Sequence, residues 1–168
     1  MHKHRTPQGL EEHALIDRAL LELLLGDEHQ RPWAEDELAR EIGVPGDVRD
    51  GLRRLRASRL IHRWNDLAVA SRPAVRFHEI TQGVDRDSAE ERHHDKAVLE
   101  GVLVRSAEGE GPRSEAQIHE AFGAKKKKAR LAITDAVNRL DGAGLVERRG
   151  GGVIVSEIAR RLDELMTL

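Results

Sequence analysis

The chain has 168 residues with a net charge of −2; 39% of them are hydrophobic and 35% charged, and cysteine is absent. This composition is typical of a soluble globular protein and excludes disulfide bonds, thiolate zinc sites and a cysteine nucleophile. No apolar stretch is long enough to span a membrane, and the basic start leads into Glu11 and Glu12 instead of an apolar signal segment, so we expect a cytoplasmic protein without a membrane partner.

The first half of the chain shows three helical patterns followed by two short apolar strands. Gly26 and Gly43 close the first two helices, and Pro45 opens the third. The two strands surround a polar tip, and Ser71 caps a last helix. The predicted segments are helices at 12–25, 34–42 and 45–58, strands at 60–63 and 67–70, and a helix at 71–81.

The second half repeats this order. Matched residues are 80 positions apart before the third helix, as for Glu37 and Gln117, and 85 apart within it, as for Val48 and Ile133, so the second copy has five extra residues. We therefore predict two domains of one fold at 1–84 and 91–168, joined at 85–90 by a polar segment that we assign as a linker and that equally suits the start of a long helix. The segments of the second copy are helices at 91–106, 114–122 and 128–141, strands at 145–148 and 153–155, and a helix at 156–166.

Local charge is uneven although net charge is nearly zero. Residues 27–47 carry seven carboxylates and two arginines, whereas residues 49–63 carry six arginines and one carboxylate. Basic charge is thus concentrated on the third helix of the first half and the strand after it.

This pattern resembles the winged helix-turn-helix superfamily. It consists of three helices and a two-stranded wing, with a glycine after the second helix and a leucine-rich stretch after the third. The stretches that carry the resemblance are Leu52–Arg63 and Val137–Arg148. The fold class implied is mainly α with small β-hairpin wings, in two tandem copies. Many proteins of this kind are bacterial transcription regulators whose third helix lies in the DNA major groove. The resemblance implies a nucleoid-associated regulator that binds double-stranded DNA. No motif groups a nucleophile, a base and an oxyanion donor, so we do not expect an enzyme.

In the first half, Arg49, Arg53 and Arg56 share one face of the third helix, away from the apolar positions 48, 52 and 55. We call these three residues the arginine stripe. Guanidinium groups at this spacing suit phosphate or guanine contacts, and Arg54 and Arg59 are additional candidates for phosphates. A solvated basic face, partly neutralised by Asp50 and the acidic second helix, is the alternative.

The second half has Thr134, Asn138 and Asp141 at the positions of the stripe. Threonine and asparagine suit thymine and adenine, but Asp141 would repel phosphate. We expect basic contacts in this half from a lysine segment, Lys125, Lys126, Lys127 and Lys128, and from Arg130, Arg148 and Arg149. The lysine segment equally suits delocalised phosphate contact or a solvated loop.

Other chemistry is not indicated. His93, His94 and Asp95 point to different faces of a helix, which is poor metal geometry, and Gly150–Gly152 lacks the context of a phosphate-binding loop. We predict no cofactor, no metal and no catalytic group, and the sequence identifies no small-molecule effector. Trp64, at the root of the first wing, is either a core lid or an exposed contact residue.

Two other functions remain open. Tandem winged helices also serve as protein-interaction modules, as in accessory subunits that resemble the kleisin-binding partners of bacterial condensin, and the near-neutral charge favours this alternative. The second possibility is mixed use, with DNA on the first half and a homodimer through the second. The apolar stripe of the final helix that would form the dimer is Ile158, Leu162, Leu165 and Met166.

Overall fold

The computed structural model describes residues 7–26, 31–83 and 89–167. Over these residues the chain is mainly helical with two small antiparallel sheets, an architecture compatible with a winged-helix-like fold. The elements are α1 (Pro7–Gly26), β1 (Trp33–Ala34), α2 (Glu35–Ile42), α3 (Pro45–Ala57), β2 (Ile61–Trp64), β3 (Leu67–Ala70), α4 (Arg72–Gln82), α5 (Ala89–Ala107), α6 (Glu115–Ala121), α7 (Lys127–Gly142), β4 (Val146–Arg149), β5 (Gly152–Val155) and α8 (Glu157–Met166).

The predicted helices and hairpins are confirmed in order, with most ends within about two residues. The helix α1 starts earlier than expected, at Pro7, which is favoured in a first helical turn. Residues 85–88 of the predicted linker lie outside the described residues, and residues 89–90 already belong to α5. By its internal contacts the chain divides into two compact units, residues 1–75 with 161–168, and residues 76–160.

One strand was not predicted. In β1, Trp33 pairs with Ala68 of β3, so the first sheet has the order β1-β3-β2. The second half has a single bridge at the matched place, where Arg113 and Val153 exchange two backbone hydrogen bonds of 3.1 and 2.7 Å. Two residues are too few to show the alternating pattern of a strand, so β1 is recognised only by its pairing with β3.

Local capping fixes the entry into the second helix of each half. The Ser114 hydroxyl accepts a hydrogen bond from the Gln117 backbone, and the Gln117 side chain accepts one from the Ser114 backbone, which confirms the predicted N-cap of α6. Before α2 the Glu37 carboxylate accepts from the Ala34 backbone N–H at 3.1 Å. This hydrogen bond lowers the pKa of Glu37.

Each half has its own apolar core between its first and third helices. The buried residues of the first are Leu20, Leu21, Leu24, Leu38, Val48, Leu52, Leu55 and Leu60, and those of the second are Val98, Leu99, Ile118, Ile133, Val137, Leu140 and Leu145. Many of these occupy matched positions of the two copies. The core positions of the repeat are therefore what the two halves share.

A carboxylate lies in each core and holds an arginine of the third helix. Asp17 of α1 accepts three hydrogen bonds of 2.6–3.1 Å from Arg54 of α3. Asp95 of α5 accepts in the same way from Arg139 of α7, and also from Arg76. Both aspartates are buried, and in each case the hydrogen bond to the carboxylate raises the pKa of the α3 or α7 arginine.

The apolar stripe of α8 is largely covered within the chain. Leu162 and Leu165 are buried and Ile158 and Met166 are half-buried, and a homodimer through this stripe stays a prediction. No helix in the described ranges is long and apolar enough to cross a membrane.

Replacing Asp17 with Ala leaves the Arg54 guanidinium without its partner. We expect the free energy of unfolding to fall by about 2–4 kcal/mol, somewhat below the value for a fully buried pair because Arg54 is partly exposed. Urea denaturation measures this change. Glu22→Ala, which breaks the surface pair between Arg18 and Glu22, should cost no more than about 0.5 kcal/mol, and equal losses in the two variants would contradict a structural role for Asp17.

Candidate nucleic-acid interface

The arginine stripe lies on the solvent face of α3. The side chains of Arg49 and Arg53 are 69% and 70% exposed. Arg49 donates from Nε to Glu35 at 2.8 Å, and Arg53 donates from Nη1 to Asp50 at 2.9 Å. Arg56 is exposed and holds no ion pair or hydrogen bond with the part of the chain that is described. The stripe therefore presents several guanidinium donors that protein groups do not use.

Glu35 links the stripe to the wing. Its carboxylate accepts from Arg49 of α3 and from Nη2 of Arg63 in β2. The hydrogen bond from Arg49 to Glu35 raises the pKa of Arg49. The third helix and the first wing thus meet at one carboxylate of α2, a residue that the sequence offered only as part of an acidic run.

Arg54 does not share this surface. Its guanidinium is engaged by the buried Asp17, on the side of α3 that packs against α1. An arginine one position from Arg53 points about 100° away on a helix, which is why the two have different surroundings. The signal available in the sequence was Asp17 within an apolar helix, with Asp95 within the first helix of the second half.

Arg59 has an unusual backbone. It lies in the left-handed region with φ of 60°, at the end of α3, and its side chain is exposed. The second copy has Gly144 at this position, with φ of 75°. Left-handed backbone costs a side-chain-bearing residue about 1–2 kcal/mol, so the first copy keeps an arginine where glycine would be more stable. Strain of this kind at an exposed cation favours a functional role.

In the second half, the residues at the positions of the arginine stripe are hydrogen-bonded to neighbouring side chains of the protein. Arg148 of β4 donates to Glu115 at 2.5 Å and to Asn138 at 2.6 Å, and its Nε lies 3.5 Å from Asp141. Thr134 donates to Glu115 at 3.4 Å and lies 3.0 Å from His119 Nε2. Arg148, Asn138 and Thr134, all predicted to contact DNA, are thus occupied by one another and by two carboxylates.

Exposed positive charge in the second half lies around the start of α7. The lysine segment is exposed, and the first turn of α7 contains no acidic residue. Arg130 is exposed and donates from Nε to the Ala124 carbonyl at 3.0 Å, beside a groove of about 340 Å³ that His119 and Lys125 also line. Ammonium groups are unfavourable at the positive end of a helix dipole, and an anion would relieve this repulsion.

The wings differ between the copies. Trp64 is 75% exposed, so it is a surface residue and not a core lid. Arg149 holds the matched position in the second wing and is also exposed. The described residues contain no group of three or more side chains that could hold a metal ion.

No known protein family matches the chain, and no curated protein matches it. Among solved structures, the mRNA-binding domain of elongation factor SelB from E. coli, in complex with SECIS RNA, is similar to it with a TM-score of 0.30 and 21% identity. The similarity covers 86% of this chain and 98% of that chain.

The ion pair of Glu115 gives a pH prediction. The hydrogen bond from Arg148 lowers the pKa of Glu115 below its ordinary 4.5, so the stability that this pair contributes is present above pH 4.5 and is lost as pH falls through the lowered value. Glu115→Gln should therefore flatten the loss of unfolding free energy on acidification. Urea denaturation at a series of acidic pH values measures it. Glu120→Gln, at an exposed carboxylate of the same helix, should leave the acid profile unchanged.

Proposed function

We propose that the chain binds double-stranded DNA as a transcriptional regulator built from two tandem winged-helix domains, with α3 in the major groove. The observation that supports this most strongly is the set of unshared guanidinium donors on the exposed face of α3. Arg49 and Arg56 are separated by seven residues, or about 10.5 Å of helix, which spans about three base steps. Arginine at this spacing suits guanine edges and the flanking phosphates.

Duplex DNA fits this surface better than RNA. The major groove of B-form DNA admits a helix, whereas that of an A-form RNA duplex is too narrow for its side chains to read. Single strands are bound largely by stacking on aromatic rings, and this chain has two tryptophans, two phenylalanines and no tyrosine. A single exposed indole such as Trp64 suits a contact beside the groove.

The two halves then have unequal tasks. The first reads the groove through the arginine stripe, with Arg59 on a phosphate. The second adds sequence-independent phosphate contacts through the lysine segment, Arg130 and Arg149, while the network around Arg148 leaves its α7 face without free positive charge. Contacts of this second kind make affinity strongly dependent on salt concentration.

The stripe is tested by Arg53→Ala combined with Arg56→Ala. Binding to a duplex selected for high affinity should weaken by about 1–3 kcal/mol, and the slope of log affinity against log salt should become shallower by about one for each phosphate that the variant no longer neutralises. Fluorescence anisotropy over a salt series measures both. Arg18→Ala with Arg160→Ala removes the same charge elsewhere, and an equally weakened affinity in that control would contradict the assignment.

Arg59 should show opposite effects on stability and binding. Arg59→Gly relieves the left-handed strain and should raise the free energy of unfolding by about 0.5–1 kcal/mol, after allowance for the greater freedom of glycine in the unfolded chain. The same variant should bind DNA more weakly. Arg59→Lys keeps the charge and should retain most of the affinity. Wild-type affinity in the glycine variant would remove Arg59 from the interface.

A protein-interaction module is the second candidate. The observation that favours it is the α7 face of the second half, where Arg148 is already paired with Glu115 and Asp141 and bonded to Asn138. An electrophoretic shift with generic duplex DNA at low salt separates the two functions. No shift at micromolar protein, with the helical circular dichroism intact, would exclude DNA binding and favour the interaction module.

A further inference from the structure

The Glu35 carboxylate is held at the meeting point of three elements. It is the first residue of α2, and its backbone N–H donates to the Asp66 carbonyl of the wing tip at 2.8 Å. Its side chain is only 17% exposed and accepts hydrogen bonds from Arg49 and Arg63. Backbone and side chain are therefore both fixed, so Glu35 is a rigid anchor for whatever it binds.

The hydrogen bond between Arg49 and Glu35 uses the Nε donor of Arg49 and leaves both terminal nitrogens of the guanidinium available. Only Nε of Arg49 bonds to Glu35, while the side chain as a whole stays 69% exposed. The two terminal nitrogens keep four N–H donors for a phosphate or a base edge. A free arginine loses rotamer entropy on binding, and a side chain already held at Nε has less to lose.

The second half repeats the arrangement with one change. Glu115, matched to Glu35, accepts from Arg148, which is matched to Arg63. It also accepts from Thr134, which is matched to Arg49. The pair of a helix carboxylate and a wing arginine is thus common to both copies. What distinguishes the first copy is that the third member of the group carries a positive charge.

We infer that Glu35 is a positioning residue for DNA binding: it holds Arg49 of α3, beside Arg63 of the wing, in the orientation in which the terminal nitrogens of Arg49 meet the duplex. This inference rests on the proposed function. Glu35 would then be a negative charge at a surface that faces DNA, where electrostatics alone would disfavour one.

Glu35→Gln separates the two effects because they have opposite signs. Removing a negative charge beside a polyanion should tighten binding, whereas releasing Arg49 should weaken it. We expect the variant to bind the selected duplex about 3- to 10-fold more weakly than wild type. Glu41→Gln removes the same charge from an exposed position of α2 and should bind as tightly as wild type or slightly tighter. An affinity for Glu35→Gln equal to that of Glu41→Gln would overturn the inference.

A double-mutant cycle with Arg49→Ala shows whether Glu35 changes the affinity for DNA through Arg49. If Glu35 acts through Arg49, Glu35→Gln should have no further effect on affinity in the Arg49→Ala background. An undiminished effect there would show that Glu35 acts only on the fold or through another residue, and would overturn the inference. Urea denaturation of each variant gives the folded fraction at the assay conditions.

Arg49→Lys provides a second approach should Glu35→Gln fail to fold. Lysine keeps the charge but has only one nitrogen, whereas Arg49 bonds to Glu35 through Nε and keeps two further nitrogens for the duplex. The affinity of the Arg49→Lys variant for the duplex should therefore fall close to that of Arg49→Ala. Wild-type affinity in the lysine variant would overturn the inference. If the proposed function is wrong, the wild-type chain itself does not bind duplex DNA. That result is distinct from wild-type binding that the Glu35 and Arg49 variants leave unchanged.

Discussion

The buried ion pair between the first and third helices sets the geometry of both halves. Asp17 and Asp95 are removed from water, so each needs its arginine, and a bidentate contact fixes the rotation of the third helix about its axis. Because Arg54 points to α1, the residues at positions 49, 53 and 56 are turned to solvent. The arginine stripe is exposed as a consequence of a contact on the opposite side of the helix.

The two halves keep this frame and differ on its surface. Matched positions hold Arg49 and Thr134, Arg59 and Gly144, or Trp64 and Arg149. Apart from the left-handed Arg59, substitutions at these exposed positions cost little stability, whereas the matched core positions and the buried pair cannot change singly. The frame therefore supports a basic face in the first half and, in the second, a hydrogen-bonded face without free positive charge.

The carboxylates near the stripe do not prevent it from binding an anion. The pair between Arg53 and Asp50 is exposed on both sides, and such pairs contribute at most about 1 kcal/mol, so a phosphate can replace Asp50 at small cost. The network of Arg148 is different, because three of its nitrogens have partners at once. With a net charge of −2, any attraction to nucleic acid comes from these local groups and not from the whole molecule.

The sequence by itself determined the order of helices and hairpins, because apolar periodicity, glycine stops and capping residues are local and appear twice. It also determined that basic charge lies on the third helix of the first half. Only the tertiary structure decided which basic residues are available. Arg54 is separated by 37 residues from Asp17 and Arg148 by 33 from Glu115, and no local pattern reports pairs so distant. An arginine looks the same in sequence whether its donors face a buried carboxylate or the solvent, and that difference separates the structural arginines from the candidate contacts with DNA.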